Sequence, residues 1–289
     1  MSLYGPVLDK GLLEQLESVW GRIGKAAARS IKRKAKGFLP DLEDEDQVLG
    51  CGAWGCVWKT RDKRFVLKCS LDATEGPTVA HVMSSRKLRL HPGVAYYRSL
   101  WQLPELVWVD ELGFTPIWVA LREEAACHRC WTADGEPPKR LEKVHDILEA
   151  VPEFGDDLTA ALCEEDEEPD EDDNVEQRKH YEGLFMDLLG DLKRTPAKYI
   201  GQFMAEAYKL KDLVLGDVHY GNIGFRRHDL SEFKVPRHKL LIAIDIGDQA
   251  QPVSGEDTYP HVKKINPPPR CPKNPEYLRY WQDRIPVLP

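Results

Sequence analysis

The sequence predicts an α+β chain in two lobes: a small antiparallel sheet first, then a mainly helical and shortened second part. Three observations predict it. Between residues 48 and 121, runs rich in β-branched and aromatic residues alternate with glycine-bearing turns. Between Tyr181 and Leu210, apolar residues recur at helical spacing. After Gly247 only about forty residues follow, and their many prolines leave little room for further helices.

A length of 289 residues suits one bilobal domain or two small ones, and 42% apolar residues can build a sizeable core. The net charge of −8 is concentrated locally, so it says little about partners of the whole molecule. The N-terminus lacks an apolar leader, and no apolar run reaches the roughly 18 residues of a membrane span. No transmembrane segment is expected. Seven cysteines at irregular spacing fit a reducing, cytoplasmic setting in which the thiols are buried and inert.

Residues 1–40 read as a basic amphipathic extension. Leu12, Leu13, Leu16, Val19, Trp20 and Ile23 give residues 9–37 an apolar helical face, and the second half is rich in Lys and Arg. A solvated face on a packed helix explains that pattern. A membrane surface or nucleic acid is the functional alternative.

Residues 41–121 form the first lobe. The segment from Val48 to Lys59 reads as a hairpin with Gly50, Gly52 and Gly55 at its tip and Val57 beyond it. Glycines there let backbone amides approach phosphate oxygens. A second strand follows, Arg64 to Cys69, where a dinucleotide-binding fold would place a helix. Lys68 ends that strand and is the candidate for the α and β phosphates of a nucleotide. Such a lysine needs an acid to hold it. Glu75 is the first candidate and Asp72 the second. Gly76-Pro77 can start a helix, and residues 78–90 continue it. Leu106–Asp110 and Pro116–Leu121, separated by Glu111-Leu-Gly113, read as a hairpin completing the sheet. Arg122-Glu-Glu is the expected hinge.

Residues 122–251 form the second lobe. Cys127-His-Arg-Cys130 is a single CxxC without a second pair. Cys163 and His145 lack diagnostic spacing, so helix cysteines are a better reading than zinc. Residues 164–176 are nearly all acidic and predict a disordered insert, with docking of a basic partner as the functional alternative. Residues 252–289 read as an irregular proline-rich tail anchored by Tyr277, Tyr280 and Trp281.

The chemistry concentrates in Leu213–Phe225, LVLGDVHYGNIGF, and in Leu240–Gly247, LLIAIDIG. Phosphoryl transfer needs an acid that positions the acceptor hydroxyl, and oxygen ligands for magnesium. Asp217 fits the first role; Asn222 and Asp245 fit the second. Turn chemistry alone would also favour Asp217, Gly221 and Asn222. Their joint occurrence with the upstream hairpin and lysine favours the site.

Taken together, Gly50-Cys-Gly52-Ala-Trp-Gly55, Lys68, Gly216-Asp217-Val-His219-Tyr-Gly221-Asn222 and Asp245-Ile-Gly247 resemble the protein-kinase-like superfamily over residues 47–250. The loop GDVHYGN is more similar to the HGDxHxGN form of aminoglycoside and choline kinases than to that of typical protein kinases. The resemblance implies ATP and magnesium between a sheet lobe and a helical lobe. It implies Asp217 as the acceptor-orienting base, Asn222 and Asp245 on Mg2+, Lys68 on the phosphates, and Glu75 on Lys68. His219 would orient the loop or touch the acceptor. The chain departs from the pattern at Leu215, where histidine is common, and at Ile246, where typical kinases carry phenylalanine. It has no APE-like segment after Gly247. The expected activity is transfer of the γ-phosphate to a hydroxyl of a protein or small molecule. A pseudokinase-like module that binds nucleotide or a partner without turnover is the alternative, and transfer of AMP is a third class.

Overall fold

The computed structural model describes residues 48–287 apart from 52–54, 61, 71, 73, 103–106, 110–112, 128–138, 168–171, 212, 231–239 and 247–274. The N-terminal extension, Gly52, Cys130, Gly247 and most of the proline-rich segment lie outside the described residues.

The first half is organised by a five-stranded antiparallel sheet in the order β1-β2-β3-β7-β4. Its strands are β1 (Val48–Cys51), β2 (Gly55–Lys59), β3 (Phe65–Ser70), β4 (Tyr97–Gln102) and β7 (Trp118–Glu123). Every residue of β3 and β7 is buried. That burial suits central strands covered on both faces, and the apolar runs FVL and WVAL supply it. The β1–β2–β3 hairpins follow the sequence reading.

The expected hairpin of residues 106–110 with 116–121 is corrected. β5 (Val107–Val109) pairs with β6 (Gly113–Thr115) in a separate two-stranded ribbon. β7 joins the main sheet between β3 and β4. Gly113 therefore begins a strand rather than ending a turn. The ribbon is an excursion between β4 and β7, and β4 carried no strong alternating pattern in YRSLWQ.

Between β3 and β4 lie α1 (Glu75–Ser84) and the single turn α2 (Arg86–Arg89). Gly76 and Pro77 fall in the first turn of α1, where a missing N–H leaves no intrahelical bond broken. Ser85 leaves helical geometry and ends α1, and its side chain accepts from Leu88 N to cap α2.

After β7 the chain passes through Glu124 alone into β8 (Ala125–Cys127), the edge of a three-stranded sheet that it forms with β9 (Ile223–Arg226) and β10 (Leu241–Ala243), in the order β10-β9-β8. Cys127 is thus a strand residue, not the helix cysteine expected. Three long helices follow: α3 (Glu142–Glu167), α4 (Asp172–Leu192) and α5 (Lys198–Lys211). α3 packs on α4 and α4 on α5. The acidic segment 164–176 is corrected here. Its two ends continue α3 and α4, leaving only residues 168–171 outside the described chain. Glutamate is a good helix former, and the apolar faces of both helices carry it along.

β9 (Ile223–Arg226) and β10 (Leu241–Ala243) frame the second motif. The last described element is α6 (Pro275–Gln282), so the end of the tail is helical rather than irregular. It packs on α1, with Trp281 and Ile285 buried in the same core as Val79 and Val82. Pro275 starts the helix, where its ring is compatible with helical geometry. No helix among the described residues is long and apolar enough to cross a membrane.

Candidate functional site

Four stretches build the site. The first is the sheet face carrying Gly55, Val57 and Lys68. Gly55 pairs with Ser70, Val57 with Lys68, and Lys68 with Ala120 across the ladder. Directly paired residues point to the same face, so these side chains share one surface. A Cβ on Gly55 would come 2.5 Å from the Cys69 carbonyl oxygen, so the strand turn excludes any side chain. Gly50 lies in β1, opposite Val57.

The second stretch is the start of α1. Lys68 Nζ lies 2.8 Å from Glu75 Oε1, with both side chains buried. The structure pairs Lys68 with Glu75 rather than with Asp72. Asp72 instead accepts from the backbone and hydroxyl of Thr74, each at 2.8 Å, and so shapes the start of α1. Trp118 Nε1 donates to the Asp72 carbonyl at 2.8 Å. A Cβ on Gly76 would lie 2.2 Å from the Trp118 ring, so this glycine lets α1 sit directly on β7.

The third stretch follows β10. Asp245 Oδ2 also pairs with Lys68 Nζ, and Asp245 Oδ1 accepts from its neighbour Ile246 N at 3.1 Å. Lys68 is therefore held between two carboxylates from opposite ends of the sequence. Burial opposes its charge, but Asp245 and then Glu75 outweigh it, and the ammonium pKa rises above its ordinary value. Burial, and then the Asp245 charge, push the Glu75 carboxyl upward despite Lys68. Burial and the Glu75 charge push Asp72 up to about 7.

The fourth stretch is the Asp217 loop. Leu213, Val214, Leu215 and Val218 are buried and fix it to the core. A Cβ on Gly155 of α3 would meet Gly216 Cα at 2.9 Å, so helix and loop meet backbone to backbone. Asn222 Nδ2 donates to Asp217 Oδ2 and to the Asp217 carbonyl, both at 2.9 Å. His219 Nδ1 accepts from Gly221 N at 2.9 Å and caps the single 3-10 turn Tyr220–Asn222. Its Nε2 faces Asp217 Oδ1 at 3.7 Å. A Cβ on Gly221 would strike the His219 ring at 2.4 Å. His219 thus orients the loop from within.

One backbone bond joins the last two stretches: Ile244 N donates to the Asn222 carbonyl at 2.8 Å. Lys68, Glu75 and Asp245 form one contact group, Asp217 and Asn222 another, and this bond links them. Gly52 lies outside the described residues, and Gly50 is placed by its pairing with Val57.

Asn222 Nδ2 is committed to Asp217, which leaves its Oδ1 turned to other use. Asp245 Oδ2 takes the Lys68 ammonium and Oδ1 the Ile246 N–H, and a carboxylate oxygen can accept more than one partner. Among the described residues no three His, Cys, Asp or Glu side chains form a self-sufficient metal cage. Magnesium is ordinarily held by one or two protein oxygens together with water and phosphate, so Asn222 and Asp245 fit it. They do not fit zinc. His145 lies against the Tyr220 ring at 4.4 Å and near Asp146 and Glu149.

Sequence reasoning missed several neighbours. The Tyr97 hydroxyl reaches the Ile244 carbonyl at 3.5 Å, and burial raises its pKa. Cys56 is disulfide-bonded, against the expectation of inert thiols, while Cys69 beside Lys68 is free and buried. Nothing local in the sequence distinguishes these residues. No family model matches the chain, and no curated protein matches it at significance.

Proposed function

We propose that this chain is an ATP- and Mg2+-dependent phosphotransferase of the protein-kinase-like type, with a bilobal arrangement around the Lys68 and Asp217 groups. The observation that carries the reading is the double clasp on Lys68. A buried ammonium held by Glu75 and Asp245 is expensive to keep, since desolvation can exceed the attraction. Its retention beside a loop bearing Asp217 and Asn222 is explained by a polyanionic ligand.

Bound Mg–ATP supplies the transferable phosphoryl group and the counter-charge on its oxygens. Lys68 would neutralise phosphate charge while Glu75 keeps it in place. Asn222 Oδ1 and Asp245 would hold the metal. Asp217 would orient the acceptor hydroxyl and take up its proton. The Asn222 bond and the nearby His219 ring hold that carboxylate in one orientation. The acceptor class is a hydroxyl on a protein or a small molecule.

The test is ATP consumption and acceptor labelling by the wild-type chain and Asp217→Ala. Wild-type turnover that falls at least a hundredfold in the variant supports the reading, a size set by removal of a general base. Equal consumption by both proteins would refute it. The closed Lys68–Asp245 pair favours a second reading, a nucleotide- or partner-binding module without turnover. Saturable ATP binding with no consumption by wild type would select it.

A further inference from the structure

Beyond the Lys68 region, a hollow of about 380 Å³ opens at the C-terminal end of α1. Met83, Ser84, Arg86, Arg89, Leu90 and Tyr96 line it. Its size falls within the few hundred Å³ typical of small-ligand sites. Among the described residues the lining carries two guanidinium groups and no carboxylate, in a chain whose net charge is −8.

The two arginines are held differently. Arg89 lies with its guanidinium carbon 5.3 Å from the Tyr96 ring centroid. Its Nη2 donates to the Tyr96 hydroxyl and to the Arg98 carbonyl, both at 3.2 Å. Its Nε is buried and has no hydrogen-bond partner. Arg86 is exposed, and its guanidinium forms no ion pair among the described residues. The adjacent Lys87 is different, because it pairs with Glu206 at 3.2 Å. Arg86 and Arg89 therefore offer planar donors to one space, while Met83, Leu90 and the Tyr96 ring offer apolar walls.

We propose that this hollow binds a small organic oxyanion: a phosphate or carboxylate head on a flat apolar body. The head takes the donors of Arg86 and the part of the Arg89 guanidinium that lines the hollow, since guanidinium forks match planar and tetrahedral oxyanions. The body lies against Met83, Leu90 and Tyr96. This site stands apart from the proposed phosphotransferase reading. Glu75 and Ser84 are the two ends of α1, and a ten-residue helix separates its ends by roughly 15 Å.

The test titrates the full chain with phenyl phosphate, with inorganic phosphate and phenol as separate arms, by calorimetry. Hydrogen exchange locates the site. Phenyl phosphate should bind saturably, more tightly than either fragment, and protect amides in residues 83–90. Arg86→Glu, at an exposed position, should keep its melting temperature and lose at least tenfold in affinity. Lys87→Gln, next to it but outside the hollow, should bind as wild type does. No saturable binding, equal binding by Arg86→Glu, or protection confined to residues 55–70 would overturn the proposal.

Discussion

At Lys68 two carboxylates, from Glu75 and Asp245, hold one ammonium group. Removing the cation leaves Glu75 and Asp245 facing each other in a buried setting. Lys68→Met should therefore destabilise the fold by about 3 kcal/mol, read from urea unfolding. Adding Glu75→Gln to it should recover part of that loss. A loss below about 0.5 kcal/mol would mean the pair is solvated and weak. Asp72 gives the site a pH signature. Its folded pKa, about 7, lies above the ordinary aspartate value, so the folded state binds the extra proton. Its contribution is complete below pH 4 and is lost as pH rises through 7. The difference in unfolding midpoint between wild type and Asp72→Asn should thus change sign or size between pH 5 and 8. These residue types were legible in the sequence, because a strand-end lysine, a helix-start acid and a GDxHxGN loop each carry local chemistry. Tyr97 and the bond from Ile244 to Asn222 were not legible. They join positions far apart along the chain, and no local pattern marks them.

Helix α1 is the element on which the site depends. It is wedged between Trp118 of β7 and the terminal helix α6. His81 stacks on Trp281 with ring centroids 4.2 Å apart. Trp281→Ala should cost about 3–5 kcal/mol, the range for a buried aromatic removed from a core. Amide exchange in residues 75–84 should accelerate in that variant, whereas exchange in α5 should change little. Gly76→Ala forces a methyl into the Trp118 ring, so it should destabilise by about 1–3 kcal/mol and lift the start of α1. Acid should also weaken this contact. Burial and then Lys211 lower the His81 pKa to about 3. Unfolded histidine takes its proton near pH 6.5, so stability falls as pH drops from there toward 3. His81→Phe keeps the ring and should flatten that part of the pH–stability curve. His91, lowered to about 4 mainly by burial, accounts for the slope that remains. The tail helix itself was hidden by its prolines. Pro275 stands at its first position, where proline is compatible with a helix, and the sequence pattern read the cluster as a breaker. The acidic stretch misled in the opposite way. Charge density spoke for disorder, while the helices on either side were long enough to run through its ends.

Across the molecule, two sheets meet at Glu124, where the chain passes from β7 directly into β8. Beside that junction Glu123 and Arg226 form a fully buried pair, with Nε–Oε1 at 2.6 Å and Nη2–Oε2 at 2.9 Å. Arg226 Nη2 also donates to the Val94 carbonyl at 2.8 Å, and Tyr96 N donates to Glu123 at 2.8 Å. Arg226 Nη1 reaches the Pro92 carbonyl at 3.4 Å. The sequence marked Arg122-Glu-Glu as a hinge, but the partner lies 103 residues further on, and only the fold could reveal it. Arg226→Met should cost about 3–5 kcal/mol, because it strands a buried carboxylate. Arg226→Met with Glu123→Gln should be closer to wild type, as thermal unfolding can show. One consequence concerns motion. A crossing nailed shut by charge, with a single residue of slack, cannot swing like a door on a loose strap. If the sheets rock against each other when a ligand arrives, they turn about this rivet. The widest travel then falls to the parts lying farthest from it.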